Sequence, residues 1–147
     1  GPHYDYLIRR FRQAQSEFAP LPHHRQPDEL GSFSGGCMFD MLHYAYAHLE
    51  ECQLLLTASE GTRFAGLVDE MVEIEVTATH DYMAVLGELG RPAPRLDPRL
   101  EHILITGMFR TFFELILHAM PLEEAENYLR QMRAFYTAGW LEVMGQS

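Results

Sequence analysis

Apolar residues recur at intervals of three and four along almost the whole chain, and no stretch alternates apolar and polar with a period of two. That pattern predicts amphipathic helices from end to end and no strands. Tyr4, Leu7, Ile8, Phe11, Ala14 and Phe18 define a first helix over 4–18. Pro20, Pro22 and Pro27, then Gly31, Gly35 and Gly36, predict an irregular stretch over 19–36, because proline removes a donor and glycine favours the unfolded chain. Met38, Met41, Leu42, Ala45, Leu49, Cys52, Leu55 and Leu56 then form the core stripe of a helix over 37–57. A break follows around Ser59 to Thr62, where Gly61 can turn and Ser59 or Thr62 can cap. A long helix from Arg63 to about Leu89 is stopped by Gly90-Arg91-Pro92-Ala93-Pro94.

The last third is the most apolar part. Asp97-Pro98 starts a helix with a side-chain cap and a preset first turn. From Leu100 to Met120 that helix is apolar on nearly all sides, which demands partners on opposite sides. In so small a domain this predicts one side toward the core and the other toward a second copy. Pro121 opens a final helix with apolar steps of three and four at Leu122, Ala125, Leu129, Met132, Tyr136, Gly139 and Val143. The expectation is a hairpin that dimerises as a four-helix bundle, with Phe109, Phe113, Leu117, Met132, Phe135, Tyr136 and Trp140 at its apolar centre. The fold class is therefore all-α, a bundle of five helices, or six if the Pro/Gly stretch contains a short one.

The 147 residues amount to one domain. Gly1-Pro2, with no initiator Met, reads as a tag remnant, leaving 3–147 as the domain. The formal charge is −10 and all basic residues are arginine. An acidic chain repels phosphate backbones, so direct DNA binding is not expected, and lysine chemistry is excluded. Arg110 and Glu114 interrupt the longest apolar run, so no membrane span is expected. Cys37 and Cys52, about 22 Å apart along one helix, cannot pair. Two unpaired thiols fit a reducing cytoplasm.

Enzyme signatures are missing: no G-x-S-x-G, no phosphate-binding glycine loop, no C-x-x-C. The reading is of a non-enzyme without cofactor or metal. The nearest metal alternative is a three-histidine set from His3, His48 and His80 or His102. Glu75 is the misfit on its helix, since it shares a stripe with Val68, Val72, Thr79, Tyr82 and Leu86. A carboxylate there must be paired, hydrogen-bonded or neutral. With eight Met, nine Phe and seven Tyr, the chain has adaptable apolar surface for a pocket. The expected lining is Met41, His48, Glu75, Thr79, Tyr82, Met108 and Phe112, with His48 and Glu75 orienting a ligand or pairing with each other.

Ser59-Glu60-Gly61-Thr62, Phe112-Phe113-Glu114 and Phe135-Tyr136-Thr137-Ala138-Gly139-Trp140 resemble the C-terminal half of TetR/AcrR-type transcriptional regulators. The resemblance implies a domain that binds an apolar or amphipathic small molecule and forms a homodimer through its last two helices. It also implies that DNA is reached only through an N-terminal helix-turn-helix domain, which is absent from this sequence. The competing class is a small-molecule-binding or metal-dependent helical bundle of the DinB-like kind, unrelated to DNA.

Overall fold

The computed structural model describes residues 1–57 and 62–147; the expected break, with its turn at Gly61 and cap candidate Ser59, lies outside them, and Thr62, the other cap candidate, is the first residue of the next helix. The described residues form six α-helices and one 3-10 turn, with no strand. They are α1 (Pro2–Phe18), α2 (Gln26–Ala47), α3 (Leu49–Thr57), α4 (Thr62–Glu88), α5 (Pro98–Leu117) and α6 (Leu122–Val143), with the 3-10 turn at His23–Arg25 between α1 and α2. The all-α bundle therefore stands, and no helix of the described residues is long and apolar enough to cross a membrane.

The local signals that set helix ends act as expected. Asp97 accepts a hydrogen bond from the Arg99 backbone N–H at 2.8 Å, and Pro98 occupies the first turn of α5. Gly90 takes φ +76° just past α4, Arg91 N–H bonds back to the Leu86 carbonyl, and Gly90 N–H to Gly87. Gly145 repeats that ending after α6 at φ +66°, with Gln146 N–H on Leu141 and Gly145 N–H on Glu142. Both are αL endings in which a residue with no Cβ takes the left-handed position at little cost.

Two elements depart from the sequence pattern. The stretch from Gln26 to Gly36 is helical, not irregular. Pro27 lies in the first turn, where no intrahelical N–H is needed, and Asp28 and Glu29 complement the helix N-terminus. Each interior glycine costs only about 1 kcal/mol. Gly35 also makes room for a partner: a Cβ there would stand 2.7 Å from the Arg133 guanidinium of α6, which would have to shift, and which donates to the Gly31 carbonyl at 2.9 Å.

The second departure is at His48. The helix expected over 37–57 is interrupted there, with φ −131° and ψ 43°, so α2 and α3 are separate. His48 was expected in a pocket lining with Met41. The break swings it outward instead, and its side chain is 41% exposed.

The core is built around α5, which packs against α2, α3, α4 and α6. Ile105, Phe109, Phe112, Phe113 and Ile116 have no exposed surface. Phe11 of α1 meets Phe109 edge-on at 5.3 Å, and Phe64 of α4 meets Phe113 at 5.5 Å. The last-turn carbonyls of α5 would otherwise be orphaned; Tyr46 donates to Leu115 at 2.7 Å and Gln53 to Ile116 at 3.0 Å. From Ile105 to Ile116 the apolar sides of α5 are thus covered within one chain, while Ile103 near its start stays exposed. Phe109 and Phe113, expected at the centre of a dimer interface, are core residues, because α4 and α1 cover the side assigned to a second copy.

Candidate functional site

The expected pocket lining divides into three groups. Met41 and Phe112 are fully buried among core side chains, and Met108 is partly buried against the same core. Glu75, Thr79 and Tyr82 follow one another along α4. Tyr82 reaches the α1 end, with its ring 6.0 Å from that of Phe18. His48 stands apart from all of these and does not pair with Glu75. It lies 3.8 Å from Glu51 and stacks loosely on His3 and Tyr44, at ring separations of 5.0 and 4.6 Å.

Glu75 is a part-buried carboxylate on α4. Burial raises its carboxyl to about 7, while a hydrogen bond with Thr79, one turn on, pulls it the other way by favouring the charged form. Near neutral pH the group is therefore divided between a carboxylate and a carboxyl that can donate. Across from it on α2 is Cys37, buried, with its thiol pushed up to about 12 by that burial and further raised by Glu75 and Asp40. Arg10 of α1 bonds Asp40 at 2.9 and 3.0 Å, yet its Nη1 is buried without a partner, as is Thr106 Oγ1 on α5. Part-buried polar groups thus lie on α1 at Arg10, on α4 at Glu75 and on α5 at Thr106, beside the buried Cys37 of α2.

Arg10 also lines a shallow groove of about 180 Å³ between α1 and α2, with Ala14, Glu17, Ser32, Phe33 and Gly36. A second open hollow of about 390 Å³ lies where the α4–α5 connection meets the C-terminus, at Arg91, Pro92 and Gly145–Ser147. Neither is lined by residues of the expected pocket.

The other expected site is the C-terminal face. Of the 22 residues of α6 only Ala125 and Leu129 are buried. Met132, Tyr136 and Trp140 are partly covered, and the Tyr136 hydroxyl meets Thr111 Oγ1 of α5 at 2.9 Å. Phe135 is 74% exposed. Tyr128, Met132, Phe135 and Gly139 are spaced four, three and four apart, so they share one side of the helix. On α5 the exposed Ile103, at 64%, has Gly107 one turn on. Leu117, the remaining expected interface residue, is partly buried against the core.

Several residues with chemistry escaped the sequence reading. Glu101 is 3% exposed, and its carboxylate accepts from His80 Nε2 at 2.8 and 3.1 Å. That pair takes His80, one option for a three-histidine set, away from His3 and His48. Glu51 and Tyr44 join His3 and His48 instead. The His48-x-x-Glu51 spacing was the available signal, and its meaning depended on a helix break that no glycine or proline announces. Compared with known proteins, the chain matches no family model, no curated protein and no solved structure.

Proposed function

We propose that this chain is the small-molecule-sensing and dimerisation domain of a TetR/AcrR-type transcriptional regulator. The observation that carries the reading is α6: a 22-residue helix with two buried residues, on one side of which Tyr128, Phe135 and Gly139 are exposed and Met132 only partly covered. Large apolar side chains repeated along one side of a helix are commonly an interaction surface. The spacing is that of a helix seated in a bundle. In this reading α5 and α6 of two copies meet across a two-fold axis, each patch on its own counterpart. Tyr128, Met132, Phe135, Tyr136 and Trp140 contribute from α6, Ile103 and Leu117 from α5, and Phe109 and Phe113 support the face from beneath.

The effector is an apolar or amphipathic small molecule that enters beside the part-buried Glu75 and Thr79 of α4. Met41 and Phe112 are reached only as the helices part. A ligand that favours one helix arrangement shifts the relative placement of two DNA-binding halves, and so their fit to half-sites one DNA turn apart.

Sedimentation equilibrium tests the dimer directly. The wild-type chain is expected near twice 16.9 kDa at micromolar concentration. Phe135→Arg is expected to sediment as a folded monomer, since it places an unpaired charge at the dimer centre while leaving the monomer core untouched. A wild-type monomer at tens of micromolar, or a Phe135→Arg dimer of unchanged affinity, would overturn the reading. The coding sequence upstream of Gly1 supplies the second test: a basic three-helix segment is expected there.

A further inference from the structure

The geometry points to a divalent transition-metal site of the zinc class where α1 meets the α2–α3 break, with His3, His48 and Glu51 as ligands. Among the described residues these three each offer one ligand atom within 4.8 Å of the others. His3 Nε2 is hydrogen-bonded to Glu51 Oε2, and His48 Nδ1 lies 3.8 Å from the same oxygen. Tetrahedral bonds of about 2.0–2.1 Å place ligand atoms roughly 3.3 Å apart. A bound ion therefore needs the exposed His48 and Glu51 side chains to draw in from their present separations of up to 4.8 Å. Two imidazoles and one carboxylate suit zinc, and three protein ligands leave a fourth position for water.

What distinguishes this cluster from an ordinary surface pair is the group behind it. Tyr44 Oη lies 2.7 Å from His3 Nδ1. In the metal-free protein His3 Nε2–H donates to Glu51; an ion that takes the place of that proton would bind the Nε2 lone pair, with Nδ1–H then donating to the Tyr44 oxygen, which is how metal-bound histidines are oriented. Tyr44 is itself held, its ring stacked on Tyr6 at 3.7 Å and 11°. The His48 backbone is pinned by N–H contacts to the Tyr44 and Ala45 carbonyls. His3 is only 19% exposed in its side chain, whereas His48 and Glu51 at 41% and 64% leave an approach for the ion. The ligands come from the first turn of α1, the residue between α2 and α3, and the first turn of α3, so a bound ion clamps a helix end that would otherwise fray. The site is separate from the α6 face, and its failure would leave the dimer reading intact.

Isothermal titration of chelator-treated protein with zinc alone tests the site, with thermal melts at saturating metal alongside. The wild-type chain is expected to bind one zinc per chain at micromolar affinity or tighter, and to melt at higher temperature with zinc than without. His48→Ala and Glu51→Gln should each weaken binding by tenfold or more, and Tyr44→Phe by about tenfold through loss of the histidine's orienting partner. Circular dichroism should show all three folded without metal. His118→Ala removes a surface histidine beside Glu114, 2.8 Å away, and should bind as wild type. Zinc binding unchanged in His48→Ala and Glu51→Gln, a His118→Ala loss as large as theirs, or a wild-type stoichiometry far from one would each overturn the site.

Discussion

At the residue scale, Glu75 is the group whose placement has the clearest consequence for stability. Its carboxyl sits at about 7 in the fold against an ordinary 4.5. Below the ordinary value both folded and unfolded forms are protonated, and the group contributes no difference. As pH rises from about 4.5 toward 7 the unfolded chain ionises while the fold keeps its proton, and stability is lost across that window. Above it the loss is on the order of 3 kcal/mol. Glu75→Gln retains the size and stays neutral, so its melting temperature should exceed wild type clearly at pH 8 and little at pH 4.5. Wild-type and variant melting curves that run parallel over that range would sink the assignment. Burial also keeps the Cys37 thiol protonated throughout, so its own titration adds nothing in this window.

At the element scale, glycine does opposite things in two helices. Gly36 lies inside α2 with open space where a Cβ would go and without a positive φ. Gly36→Ala is therefore expected to raise stability by roughly 0.5–1 kcal/mol, since alanine loses less backbone freedom on folding. Gly90 has equally open space but φ +76° at the end of α4. Gly90→Ala is expected to cost about 1–2 kcal/mol, the penalty of a Cβ in the left-handed region. Urea denaturation of the two variants compares the effects directly, and equal shifts of the same sign would contradict this account of both helices. The contrast also explains why α2 tolerates three glycines: none of them is asked to adopt an unusual backbone, and Gly35 gives Arg133 a place to lie.

At the scale of the whole molecule, the core and the candidate interface are on different sides of the α5–α6 hairpin. Phe113→Arg would strike the core at a fully buried ring and unfold the chain, whereas Phe135→Arg would strike only the outer face. The formal charge of −10 adds a further expectation. The chain by itself should not retard duplex DNA at physiological salt, because it offers no excess of cations to release counterions. Salt-sensitive binding of random duplex would overturn both that argument and the division of labour in the proposed function.

The sequence by itself determined the helical class, the capped start of α5 at Asp97, the glycine end of α4 at Gly90 and the place of Glu75 on a part-buried stripe of α4. These follow from periodicity and from signals that act within one or two turns. Periodicity shows which residues require burial but not what buries them. That is why Phe109 and Phe113 read as interface residues until α1 and α4 were seen to cover them. The tertiary structure alone decided that α2 runs through Pro27 and three glycines, where contacts from α6 and the core offset a weak local propensity. It alone decided the break at His48, which sets that ring beside His3, 45 positions earlier in the chain. Contacts at such separation depend on how whole helices are placed, and no local pattern of residues encodes them.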